Sequence, residues 1–247
     1  MVDNLTKLTI QIGFMKNLTK ISRDHTNRGA HNWLIYKLMD RFIRKHSGQC
    51  RGQIFDLGCG DAPYKDFLLQ NAESYVGVDW SGSQHENNED VTADLNHPLP
   101  INNEVADTVV SFSVIEHLSE PQVMLHECYR IMRPGAVLLL QVPWQWQLHE
   151  SPHDYYRYTE YGLRHMLTKA GFIDVVVEPQ SGVFTTIVMK INYFSRRFVR
   201  GSRVIKLALN LILIPVWYFG QIVAPLLDRL DKNWSAETTG FFVVARK

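Results

Sequence analysis

Apolar positions along this chain follow two alternating periods. From His31 to about Lys45 they fall at Leu34, Ile35, Leu38, Met39, Phe42 and Ile43, the spacing of one helix face, with Ser47-Gly48 as a stop. Short apolar runs bounded by turn residues then begin: Gln53 to Leu57, Tyr75 to Asp79, Val91 to Leu95, Ala106 to Phe112, Ala136 to Val142 and Phe172 to Val177. These read as strands. Helical patterns separate them: Pro63 to Asn71, then Val123 to Met132 closed by Arg133-Pro134-Gly135, then a helix opening at Thr159 with Leu163, Met166 and Leu167 inward and Gly171 as its stop. Thr239 to Arg246 reads as a seventh strand. Near the start, Leu8, Ile10, Ile12 and Phe14 alternate with polar residues, as in a strand that forms a packed arm or a cap over a site.

Strands alternating with helices predict an α/β fold with a doubly wound, mostly parallel seven-stranded sheet. The expected organisation is an N-terminal arm and helix (1–47), a core (48–179), an apolar helical insertion (180–236) and the last core strand (237–247). Ligands of such sheets bind at the carboxyl ends of the strands. Asp56, Asp79, Asp94 and Ser111 stand at those ends and should converge on one rim, although an acid after a strand is also a common turn former.

The first strand carries the most specific signal. Gln53-Ile54-Phe55-Asp56-Leu57-Gly58-Cys59-Gly60-Asp61 is an apolar run that ends in a carboxylate and breaks into a two-glycine turn. Glycines there allow positive φ and let a ligand approach the backbone. The dinucleotide fingerprint requires a third glycine three positions after the second; Pro63 occupies that position. A carboxylate at Asp56 suits a cationic group such as an amino acid's ammonium and would repel a pyrophosphate. Asp79, 19 residues after Gly60, is placed for a ribose diol. Together these favour a nucleoside joined to an amino acid, with S-adenosylmethionine (SAM) as the candidate.

Asp56-Leu57-Gly58-Cys59-Gly60, Val78-Asp79, Ala93-Asp94-Leu95, Phe112-Ser113-Val114-Ile115-Glu116-His117-Leu118, Glu127 to Gly135 and Lys169-Ala170-Gly171-Phe172 occur in that order. This series resembles the motifs of class I SAM-dependent methyltransferases of the type-11 group, over roughly residues 50 to 178. The resemblance implies that Gly58, Cys59 and Gly60 pass under the methionine portion with Asp56 in support. It implies that Asp79 takes the ribose hydroxyls, Trp80 lies against adenine and Asp94 accepts the adenine amino group beside Leu95. Ser111, Phe112 and Ser113 would line the methionine end, with His117 near the pocket mouth. The last strand is then expected beside strand 5, antiparallel to the rest.

Pro143 to Tyr158 leaves strand 5 over the same rim and holds Trp144, Trp146, His149, His153, Asp154, Tyr155, Tyr156, Arg157 and Tyr158. Such loops are commonly binding loops. The alternative is that the aromatics cap the sheet edge and His153 and Asp154 cap the next helix. Similar His-Asp-Tyr-Tyr-Arg-Tyr-Thr stretches occur in methyltransferases of bacterial surface-glycan clusters. A hydroxyl acceptor must lose a proton, and histidine is the economical base at neutral pH. The first choice is His153 steadied by Asp154, and the second is His117. No HxH pairing is present, and no metal is expected.

Composition narrows the surroundings. The 247 residues are 45% hydrophobic and 21% charged with a net charge of +1, enough for one sizeable core and without the basic surface a nucleic-acid partner requires. Cys50, Cys59 and Cys128 lack CxxC spacing, which points to a reducing, cytoplasmic compartment, and no signal peptide is expected. Leu207 to Leu227 contains no charge and is long enough to span a bilayer. Pro215, Gly220 and Pro225 are expected to break it, and a single crossing would strand the last strand on the wrong side. Lys190, Arg196, Arg197, Arg200, Arg203 and Lys206 precede it, a pattern suited to peripheral contact of 190–230 with the inner face of an anionic membrane. An internal lid or an oligomer interface is the alternative. The expected function is SAM-dependent O-methylation of a sugar or other small hydroxyl acceptor, lipid-linked in the fuller reading. C-methylation of a quinone-like lipid and non-catalytic SAM binding are the rivals.

Overall fold

A computed structural model of the chain describes residues 28–82 and 89–247. The alternating stretch from Leu8 to Phe14 and most of the polar segment after Ser81 lie outside the described residues. The elements are α1 (Trp33–His46), β1 (Gln53–Leu57), α2 (Lys65–Leu68), β2 (Ser74–Asp79), β3 (Val91–Thr92), β4 (Ala106–Phe112), α3 (Pro121–Ile131), β5 (Met132–Pro143), α4 (Glu160–Ala170), β6 (Ile173–Pro179), α5 (Val183–Arg196), α6 (Arg203–Asp228) and β7 (Gly240–Arg246).

Seven strands form one sheet in the order β3-β2-β1-β4-β5-β7-β6. β1 to β5 run parallel, and β7 is antiparallel to both β5 and β6. Period-two alternation lets each central strand serve two cores. Ile54, Val110, Val137, Leu139 and Phe242 pack on one face with Met39, Phe42 and Ile43 of α1. Phe55, Leu57, Val109, Leu138, Leu140 and Val243 pack on the other with Leu125 and Cys128 of α3 and Leu163 and Leu167 of α4. Phe42 stacks on Phe242 at 4.3 Å between ring centroids.

Three elements differ from the sequence reading. The helix expected over Pro63 to Asn71 is the single turn Lys65–Leu68. Ala62 sits at φ 47, in the left-handed region and not in the extended conformation of a helix N-cap, so the helix opens only at Lys65. β3 stops at Thr92 because the Asp94 carboxylate accepts from the Asn96 N–H at 2.9 Å and turns the chain away. Helix α6 runs unbroken through Pro215, Gly220 and Pro225.

Helix α6 is long and apolar enough to cross a membrane. Trp217, Gln221, Ala224 and Asp228 are buried at helical spacing, so one stripe of it faces the protein. Gln221 Oε1 accepts from the Leu34 N–H at 3.0 Å, and its Nε2 donates to the Ala30 carbonyl at 2.8 Å. Asp228 reaches the start of α5, accepting from the N–H groups of Gly182, Phe184 and Thr185 at 3.0, 2.9 and 3.2 Å and from Thr185 Oγ1 at 2.6 Å. A carboxylate there satisfies orphan donors and meets the positive end of the helix dipole. Asp228→Ala should therefore lower stability by about 2–3 kcal/mol, read as a lower urea midpoint with unchanged slope. A midpoint equal to the parent's would refute that role.

Candidate active site

The carboxyl ends of β1, β2, β4 and β5 open on one cavity of about 1100 Å³. β1 delivers the glycine turn to its floor. Gly58 lies at φ 81, and a Cβ there would come within 2.3 Å of the Val114 side chain, so conformation and space both require glycine. The turn is pinned to β2: Gly58 N–H donates to the Val78 carbonyl at 2.7 Å and Gly60 N–H to Asp79 Oδ2 at 2.7 Å. Asp56 is buried and accepts from the Tyr75 hydroxyl at 2.5 Å. Burial raises its carboxyl to about 7, with neighbouring Asp79 adding to the rise and the Tyr75 bond opposing it.

Ten of the eleven residues expected on the cofactor side border this cavity: Asp56, Gly58, Cys59, Gly60, Asp79, Trp80, Asp94, Leu95, Phe112 and Ser113. Ser111 does not. It is buried in the sheet, and its hydroxyl donates to the Leu57 carbonyl at 2.6 Å, tying β4 to β1. Ser113, one step past the strand at φ 56, donates to Gln141 Oε1 at 2.5 Å.

On the acceptor side, His117 and His153 both border the cavity. The His153 ring meets Trp80 edge to face at 5.3 Å. Asp154 does not steady His153. Its carboxylate is clamped by Arg157 at 2.5 and 2.7 Å and accepts from the His149 N–H at 3.0 Å. Against the cost of burial, Arg157 and that N–H hold Asp154 down at about 2. The same Oδ2 stands 3.3 Å from His149 Nδ1, so Asp154 orients His149, one residue type the sequence reading noted without giving it a role.

Sequence reasoning also missed Glu116. Its carboxyl is buried, which pushes it up to about 8. Glu116, His117 and His149 bring one ligating atom each within 4.8 Å, although 33 residues separate the first from the last and no HxH pairing announces them. Asn32, Tyr36, Tyr193, Arg196 and Arg197 border the cavity from α1 and α5. The two arginines were legible only as part of a basic cluster, because their place depends on how α5 folds back.

Residues 55–140 match the family model described as a methyltransferase domain. A Mycolicibacterium smegmatis protein named "Probable S-adenosylmethionine-dependent methyltransferase" is 31% identical over 102 residues, 38% of this chain and 40% of the relative. Residues 55–140 thus form a SAM-dependent methyltransferase domain of the class I, type-11 group. SAM is the cofactor of that group. A mitochondrial ubiquinone biosynthesis O-methyltransferase of Rattus norvegicus is 28% identical over 102 residues, 36% of this chain and 30% of that protein. Matches to these curated relatives span less than half of their lengths. In fold, the chain is similar to Haemonchus contortus phosphoethanolamine N-methyltransferase 2 in complex with SAM, with a TM-score of 0.54 at 19% identity over 88% of this chain and 56% of that one.

The cavity fits the cofactor's chemistry: a glycine cradle that a Cβ would fill, with carboxylates at Asp56 and Asp79 to meet an ammonium and a diol. In the free methyltransferase domain Asp56 is mostly protonated below about 7. Its folded pKa lies above the unfolded value near ~3.9, so this contribution to stability is present at low pH and lost as pH rises through about 7. A cationic ligand favours the carboxylate and releases the proton. SAM affinity should thus rise by up to about tenfold per pH unit between roughly pH 5 and 7 and then flatten. Calorimetry checks this, and Asp56→Asn should remove the slope; a flat profile in the parent chain would sink the assignment.

Proposed function

We propose that this chain transfers a methyl group from SAM to a hydroxyl oxygen of a glycan-like acceptor carried on a lipid. One observation carries the reading: a single cavity runs from the glycine turn, past the histidine loop, to Arg196 and Arg197 at the end of α5. Beyond them the outward faces of α5 and α6 are apolar. Ile191, Phe194 and Phe198 are 55–60% exposed, and Leu211, Ile212 and Phe219 are 65–69% exposed. Apolar patches of this extent mark an interaction surface. With Arg196, Arg197, Arg200, Arg203 and Lys206 beside them, they suit a monotopic contact with an anionic leaflet, where an acceptor's lipid and phosphate would lie.

In this reading Asp56 takes the SAM ammonium above the Gly58–Gly60 turn, Asp79 takes the ribose diol, and Trp80 and Asp94 flank adenine beside Leu95. Bound SAM supplies a methyl on a sulfonium, a good leaving group. The residues therefore have to align the acceptor and remove one proton. His153 is the base, as its ring stands at the cavity wall; His117 completes the wall behind it. Asp154 acts indirectly, by fixing Arg157 and His149 in the loop.

Membrane extracts incubated with labelled SAM should yield label in the lipid-linked glycan fraction. His153→Ala should slow transfer by about a hundredfold while SAM still binds. Label confined to soluble metabolites would overturn the lipid-linked acceptor. Label in phenolic lipids would favour the second reading, which rests on the rat relative: O-methylation of a quinone precursor.

Liposome co-sedimentation addresses the membrane contact. The chain should pellet with anionic vesicles, less so at high salt, and replacing Phe194 and Phe219 by Ser should release it. Failure of the parent chain to pellet would remove the membrane from the proposal.

A further inference from the structure

Glu116, His117 and His149 meet at the edge of the cavity without bonding to one another. Glu116 is fully buried, and among the described residues neither carboxyl oxygen has a hydrogen-bond partner. Its Oε1 lies 3.7 Å from His117 Nε2 and 3.9 Å from His149 Nε2. Those separations are too long for hydrogen bonds. Ligand atoms held about 2.0–2.2 Å from one shared ion stand roughly 3–3.5 Å apart. The two Glu116 pairs need a contraction of a few tenths of an ångström, and the widest pair, within 4.8 Å, needs up to about 1.3 Å, a side-chain adjustment on metal entry.

Both rings are held by their other nitrogen. His117 Nδ1 lies 2.7 Å from the His153 carbonyl, which only accepts, so Nδ1 carries the proton and Nε2 keeps its lone pair for the cluster. His149 Nδ1 stands between Asp154 Oδ2 at 3.3 Å and Arg157 Nη2 at 3.4 Å, so this clamped pair fixes the ring's orientation while its tautomer is set on binding. Carboxylates and carbonyls behind histidines are how metal ligands are oriented. Glu150 Oε2 approaches His117 Nε2 at 3.9 Å from the cavity side. His117, His149 and Glu150 border the cavity, with Glu116 behind them.

We propose that Glu116, His117 and His149 bind a divalent first-row transition ion, with Glu150 as a fourth ligand and an open position toward the cavity. Two imidazoles and carboxylate oxygens suit Zn²⁺, Mn²⁺, Fe²⁺ or Co²⁺ better than Ca²⁺ or Mg²⁺, which prefer all-oxygen sets. The site stands on its own ligands. The further point that its open position meets the acceptor oxygen rests on the methyl-transfer reading above.

The test is titration of the chelator-washed full chain with Co²⁺, followed by visible absorption and calorimetry, with Zn²⁺ as competitor. One ion per chain, a ligand-field spectrum of nitrogen and oxygen donors, and displacement by Zn²⁺ are expected. Glu116→Gln and His149→Gln should each weaken binding about tenfold or more, while His126→Gln, on the exposed side of α3, leaves it unchanged. Circular dichroism and SAM binding on the same samples verify folding. Absence of stoichiometric Co²⁺ binding, or binding unchanged in folded His149→Gln, overturns the site. Metal binding that survives where SAM binding fails would support the site and count against the methyl-transfer reading alone.

Discussion

The position of β7 constrains everything around the cavity. It pairs with β5 from Val137↔Arg246 to Pro143↔Gly240 and with β6 on its other edge. Because it is antiparallel to both, the chain must leave the end of β6, build whatever it builds, and return to the same rim before it can enter the sheet. The insertion between Pro179 and Gly240 is thereby held at the carboxyl ends of the strands, where ligands of such sheets bind. Asp228 closes the excursion by binding the helix start from which it departed. The Thr238 and Thr239 hydroxyls meet Ser181 at the point of re-entry.

The same return explains how an apolar helix can be both anchored and exposed. Burial of Trp217, Gln221, Ala224 and Asp228 binds one stripe of α6 to the protein. The polar members of that stripe form directed bonds to α1 and α5, so the helix cannot rotate its apolar side inward without breaking them. A helix held this way presents its remaining apolar faces as a surface. A free crossing would require the Gln221 and Asp228 side chains to be unpaired in lipid, where buried polar groups are costly.

Periodicity and turn chemistry were enough to read the strands, the doubly wound sheet and the glycine turn, because each depends on residues close in sequence. Phe55 and Ile54 declare two faces of a strand by adjacency alone. Tertiary placement was the limit. Ser111 follows the pattern of a rim residue, yet one step of pleat turns its hydroxyl into the sheet toward Leu57, and the rim falls to Phe112 and Ser113. Asp154 adjoins His153 in sequence, but in an extended loop neighbouring side chains diverge, and Arg157 and His149 are what it reaches. Spacing rules for metal ligands likewise assume one helix, while Glu116 sits in the 3₁₀ turn after β4 and His149 in the loop after β5.

Glu116 shows how these levels meet. A buried carboxyl without a hydrogen bond is expensive, and folds retain such groups chiefly where something else compensates. Its backbone carbonyl accepts the N–H groups of Tyr155 and Tyr156, at 2.9 and 3.2 Å, and the neighbouring Ile115 carbonyl accepts the Tyr158 hydroxyl at 3.0 Å. Main-chain bonds thus hold the histidine loop against the turn that carries Glu116, independently of its side chain. An alanine or glutamine at this position would keep those main-chain bonds and escape the burial cost of an acid. The loop's geometry therefore does not explain the carboxyl, and the two imidazole nitrogens aimed at it are the feature that gives it a reason to be there.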